Sequence, residues 1–249
     1  MSNPAAPPAP DTAPMSLVPR FLGIITSPRR TFASVAAHPR WLGMLAVIVV
    51  LGAGLAVWFQ STEVGKLAMI DTSIKAMESF GFSPSEQMLD QMEKQMLEMP
   101  LWRTALQTGL SIVVFAPLMY LVIAGIFFGV FSAALGGGAT FKQVFATVVH
   151  GGVISALGQL FSYPMFYLRE TMTSATSLGV LLPMLAEDSF LAKFLGAIDL
   201  FTVWWVAVLA IGVAVLYRRK TRPIAISLFA VYGVIAAAVA AFQAMRSSS

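Results

Sequence analysis

The stretch Gly136-Gly137-Gly138-Ala139-Thr140-Phe141-Lys142 separates two apolar runs, each long enough to cross a bilayer. Three successive glycines stop the first run, because glycine loses more backbone freedom in a helix than any other residue. Lys142 marks the turn as aqueous. The run from Gln143 to Leu168 resumes behind it, carrying His150 and the pair Gly151-Gly152. A tight polar turn between two membrane-length runs predicts a transmembrane helical hairpin. The glycines do not make a phosphate loop, since no strand precedes them and no Gly-Lys-Ser/Thr ending follows.

Composition extends this reading to the whole chain. Of 249 residues, 57% are hydrophobic and 11% charged, and the mean hydropathy is +0.78. A soluble domain carries roughly a quarter charged residues, so most of this surface must face lipid. With no cysteine, disulfides and thiolate metal sites are excluded. The net charge of +4 and pI of about 9.6 come from loop lysines and arginines, and no nucleic-acid partner is expected.

Working outward, residues 1–14 are Pro/Ala-rich and read as a disordered tail, without the ordered regions of a signal peptide. Residues 15–40 hold two short amphipathic helices, the second opened by Ser27-Pro28 as cap and first turn. They either lie on the cytoplasmic leaflet, with Arg20, Arg29 and Arg30 on lipid phosphates, or pack under the bundle; the two are compatible. Residues 41–245 form an all-α, polytopic transmembrane domain. Its five spans fall at about 41–59, 104–135, 141–168, 199–217 and 223–245. The second run, counted from Leu101, is longer than a bilayer requires and should tilt, protrude or kink at Pro117. Residues 61–100 are acidic and form an extracytoplasmic helical hairpin. Its first helix is Val64 to Phe80, and its second is opened by the capping box Ser83-Pro84-Ser85-Glu86 and runs to about Met99.

Basic residues set the orientation. The Arg20/Arg29/Arg30/Arg40 cluster, Lys142 and the Arg218–Arg222 cluster alternate onto one side, so the N-terminus is cytoplasmic and the C-terminus extracytoplasmic. Small residues mark helix-packing positions: Gly125 and Gly129 in the second span, Gly151 and Gly152 in the third, Gly233 in the fifth.

Chemistry is sparse. His150 lies eight residues past Lys142, roughly 12 Å into the membrane, where an ionisable group is costly and suggests a functional site. Packing against a backbone carbonyl is the plainer reading. Asp199 enters the fourth span from the outer side and reads either as a second intramembrane polar site or as an interfacial structural group. Met88, Met92, Met96 and Met99 share a helix face, which suits an adaptable apolar contact better than a Cu(I) site, since no histidine accompanies them. No catalytic set, metal site or cofactor site is expected.

The segment Phe21-Leu22-Gly23-Ile24-Ile25-Thr26-Ser27-Pro28, then Thr31-Phe32 and His38-Pro39, precedes the first span; Gly137-Gly138-Ala139-Thr140-Phe141-Lys142-Gln143-Val144-Phe145 opens the third. Over about Leu17 to Phe242 this is similar to the bacterial branch of the Yip-domain family, named for Ypt/Rab-interacting proteins. The resemblance implies a five-span helical domain with a cytoplasmic N-terminus. Its eukaryotic members bind prenylated Rab GTPases and associate with related membrane proteins. This sequence has no acidic-Leu-x-Gly-Pro motif in its N-terminal part and no proline near Gly151-Gly152, so small-GTPase binding is not carried over to any residue.

The expectation is a non-enzymatic scaffold or adaptor of the bacterial inner membrane. It recruits a membrane-protein partner or a second copy, or organises the lipids around it. The alternative is a lipid or small-solute transporter with a midplane site near His150, and a dry, packed surround for that residue would count against it.

Overall fold

A computed structural model describes residues 14–182, 184–186 and 189–247; the N-terminal tail lies outside these apart from its last residue. Ten α-helices are described: α1 (Leu17–Thr26), α2 (Pro28–Ala37), α3 (Leu42–Ser61), α4 (Glu63–Ser79), α5 (Glu86–Leu97), α6 (Leu101–Phe127), α7 (Phe141–Arg169), α8 (Phe190–Gly196), α9 (Leu200–Leu216) and α10 (Thr221–Ser247). Among the described residues no strand forms beyond one isolated bridge, Ser177 to Asp199.

Four helical stretches are long and apolar enough to cross a membrane: Leu42–Ser61, Leu101–Ala134, Phe141–Arg169 and Thr221–Arg246. The sequence reading counts five. The remaining one, α9, is uncharged but has 17 residues, about 26 Å of helix.

The turn at 136–138 forms as the glycines require. Gly136 sits at φ +67, where a side chain would be strained, and α7 starts on a reciprocal cap. Thr140 accepts from the Gln143 amide, and the Gln143 side chain accepts from the Thr140 amide at 2.9 Å. Before this turn the second run widens into a π-helical segment, Phe128–Ala134, which the sequence reading did not anticipate. Tyr217, the residue that follows α9, pins it: its ring stacks on Phe131 at 5.4 Å and its hydroxyl lies 2.7 Å from that of Ser132. Pro117 lies inside α6 without ending it. At α5 the cap is Ser85, whose hydroxyl accepts from the Met88 amide, so the helix starts two residues beyond the predicted Ser83-Pro84 opening.

Contacts fix the helix directions. Along α7 and α9, position 158 meets 201, 151 meets 209 and 147 meets 212, so the two run antiparallel in a constant register. The close approach at Gly212 matters most: a Cβ there would lie 2.8 Å from Thr147 and 2.9 Å from Phe32. Between α3 and α7 the ring pairs Trp41–Phe145 (5.0 Å) and Phe59–Tyr163 (5.8 Å) run in parallel order. The contacts of Phe128 with Phe141 and of Tyr120 with Gly152 make α6 antiparallel to α7. At Gly152 a Cβ would collide with the Tyr120 hydroxyl. The core gathers Val144, Val148, Val149, Val153 and Ile154 of α7 with Met44 and Ile48 of α3 and Leu209 and Val213 of α9.

The short N-terminal helices are built into one end of this bundle. Ile24, Phe32 and Val35 are buried, while Val18 and Leu22 stay exposed. The Gln143 amide donates to the Ala36 carbonyl at 2.9 Å and Arg29 donates to the Thr221 hydroxyl at 2.8 Å. Arg29, Arg40, Lys142 and Arg218–Arg222 therefore share that end. At the other end lie α4, α5, Glu170, Asp199 and the end of α10, where Arg246 sits 4.5 Å over the Phe80 ring. Lys66 joins α4 to the end of α5 by donating to the Leu97 and Met99 carbonyls.

Candidate functional site

His150 is fully buried in α7. Its Nδ1 lies 2.7 Å from the Ala146 carbonyl, which can only accept, so Nδ1 carries the proton. Nε2 is buried without a partner. Val149, Val153 and Ala146, all wholly buried, are its helix neighbours, and it lines none of the clefts described below.

Asp199 caps α9. One carboxylate oxygen accepts the Phe201 and Thr202 amides at 2.9 and 3.3 Å; the other accepts the Ser174 hydroxyl at 2.7 Å and the Thr176 hydroxyl. Aspartate is among the strongest N-cap residues because it satisfies amides that the helix leaves open. His150 and Asp199 are thus not brought together: position 150 of α7 faces the middle of α9, and Asp199 stands at its start.

The three arginines also separate. Arg20 is 3% exposed and turned inward, its guanidinium donating to the Arg40 carbonyl at 3.1 Å and the His38 carbonyl at 3.5 Å. Burial, and after it the Arg40 charge, lowers its pKa from the ordinary arginine value. In this arrangement Arg20 ties α1 to the start of α3, and Arg29 and Arg30 are the exposed pair. The glycines divide the same way. Gly151 and Gly152 meet α9 and α6, whereas Cβ atoms at Gly125, Gly129 and Gly233 would meet nothing within 4 Å. On α5 no residue is buried, and Met88 is exposed.

A cleft of about 390 Å³ opens between α7 and α9, lined on the α7 side by Ser155, Gln159, Ser162 and Tyr163. Sequence reasoning missed it, although the spacing 155, 159, 162 places these residues on one helix face. A second cleft of about 360 Å³ adjoins it along α6, sharing Ser155, Thr202 and Trp205. Among the described residues, no group of three His, Asp or Glu side chains is placed to hold a metal ion.

A model of the Yip1 domain matches residues 22–242, nearly the whole chain. The chain belongs to the Yip1-domain family. It is similar to membrane protein YknW of Bacillus subtilis (strain 168), with 25% identity over 197 residues, 78% of this chain and 77% of that protein. No solved structure matches it. Membership accounts for the apolar helical architecture and makes this a membrane protein; it assigns no role to His150, Asp199 or the cleft.

Proposed function

We propose that this Yip1-domain protein is a non-enzymatic membrane adaptor whose second span presents a small-residue groove to a helix of another membrane protein. One observation carries this reading: Gly125 of α6 and Gly129 of the π-helical segment that continues it have nothing within 4 Å of either Cβ position, although the stretch Leu101–Ala134 is long enough to cross. Between helices in lipid there is little hydrophobic drive, so a groove that admits a backbone is what promotes association. The buried, cleft-free setting of His150 argues against a transport site there.

The same reading takes α9 as a fifth crossing. Its 17 uncharged residues run the length of 147–158 of α7 in antiparallel register, and about 17 residues is the lower bound for a span. With five alternating crossings, this reading has the basic end in the cytoplasm of a bacterial inner membrane and the α4–α5 hairpin and C-terminus outside.

Native mass spectrometry after gentle extraction tests the adaptor role. We expect a reproducible protein partner or a second copy, lost in Gly125→Leu and Gly129→Leu while the monomer stays folded. A lone, lipid-bearing monomer in the wild type would refute it. Topology is tested separately, since the chain has no cysteine: Lys220→Cys should resist an impermeant thiol reagent in intact cells, and Gln91→Cys should react. The reverse pattern would invert the orientation.

A further inference from the structure

Several helical Ser and Thr hydroxyls of this protein bond their own helix, though those of Thr104 and Ser227 do not. Thr26, Thr72, Ser73, Ser111 and Thr147 each donate to the carbonyl four residues back, at 2.7 to 3.0 Å. Ser155 and Ser162 of α7 and Thr202 of α9 make no such bond, and neither the Gln159 amide nor the Tyr163 hydroxyl has a hydrogen-bond partner among the described residues. Trp205 Nε1 is buried without a partner as well. All six residues line one cleft. Of these groups only Trp205 Nε1 is buried; the others open into the cleft, where a polar ligand would satisfy donors and acceptors that the helices leave unpaired.

The charge of the cleft narrows what that is. Its lining residues include no lysine or arginine, and its one charge is Asp199, which four neutral donors hold and no cation pairs. The first amides of α9 are taken by that carboxylate, so none is left for a phosphate. A carboxylate without a cationic partner, beside Tyr163, Phe201 and Trp205, suits an ammonium group, attracted by both the charge and the aromatic rings. Asp199 stands about 9 Å along the helix from Trp205. At Trp205 the polar cleft meets the second one, whose further walls are Ala116, Met119, Tyr120 and Ile123 of α6. A polar chamber at the end of a span, continued by an apolar groove toward its middle, has the order of parts of a phospholipid.

We propose that the α7–α9 cleft is a binding site for a phospholipid with a primary-amine headgroup. Asp199 is the counter-charge of the ammonium, Gln159, Ser162 and Thr202 bond the oxygens behind it, and the α6 groove takes an acyl chain. The site is independent of any protein docked on the outer face of α6.

The test is native mass spectrometry of the full chain titrated with phosphatidylethanolamine and phosphatidylglycerol of identical acyl chains. We expect an approximately tenfold preference for phosphatidylethanolamine, lost in Asp199→Asn, which keeps a capping oxygen and removes the charge. Free ethanolamine should not displace the bound lipid; displacement at millimolar concentration would make the ligand a soluble amine and overturn the lipid assignment. Equal binding of the two lipids by the wild type, or a preference that survives in Asp199→Asn, would overturn the site altogether. Gln159→Leu, which leaves the cap untouched, decides the matter if the first variant does not fold: affinity for phosphatidylethanolamine should fall about threefold, and unchanged affinity would count against the site.

Discussion

Helices α6 and α7 are both long enough to cross the bilayer and lie side by side, yet they occupy opposite environments. In α7, 72% of the most apolar 18-residue window is buried; in the stretch Leu101–Ala134 that contains α6 the share is 11%. The more apolar helix is the exposed one. In water the order would be reversed, because burial there follows hydrophobicity. In lipid, hydrocarbon solvates leucine and phenylalanine as well as a protein interior does. The centre therefore goes to the helix whose small residues permit close contact and whose polar groups need shelter. In α7 these are Ala146, Gly151, Gly152 and Gly158, with Thr147 and His150 among them.

This contrast can be broken most forcefully at Gly152. Gly152→Leu drives a side chain into the Tyr120 hydroxyl and should cost about 3 kcal/mol or prevent folding, read as a lowered unfolding midpoint in detergent. Next in size is the start of α7, where Thr140→Ala removes the cap from the Gln143 amide and should cost about 1 kcal/mol; an unchanged midpoint would mean that the reciprocal cap is not what starts the helix. Tyr217→Phe should cost slightly less than 1 kcal/mol by removing the bond to Ser132, with faster amide exchange at 128–134 as the local signature. The smallest effect belongs to the π-helical continuation of α6: Gly129→Leu should leave monomer stability within about 0.5 kcal/mol of the wild type, because nothing lies within 4 Å to be displaced. A large loss there would mean that α6 is packed inside the monomer, and the comparison would fall.

The apolar runs of α3, α6, α7 and α10, and the turn between the second and third, were legible because length, charge and glycine placement are local properties. Arg20 was harder. An arginine donating to the carbonyls of residues 38 and 40 has the same sequence context as one facing lipid phosphate, and only the fold of α1 under α3 distinguishes them. The π-helical segment was hidden for a similar reason, since Tyr217, some 85 residues on, holds it. Gly125 and Gly151 look alike in sequence, and which one has a neighbour depends on how whole helices pair. The cleft was partly legible: Ser155, Gln159 and Ser162 share a helical face, but their lack of intrahelical partners could be seen only in three dimensions.

The seating of Phe32 against Gly212 sets an order of events during synthesis. Some 180 residues separate the two, and at about 5–20 residues per second the ribosome takes roughly 10–40 s to supply the second after the first. For that interval the apolar side of α1 and α2, with Ile24, Phe32 and Val35, has no α9 to receive it. Phe32 can therefore be seated against Gly212 only after the residues of α9 have been made, so the docking of these two helices is a late step of folding.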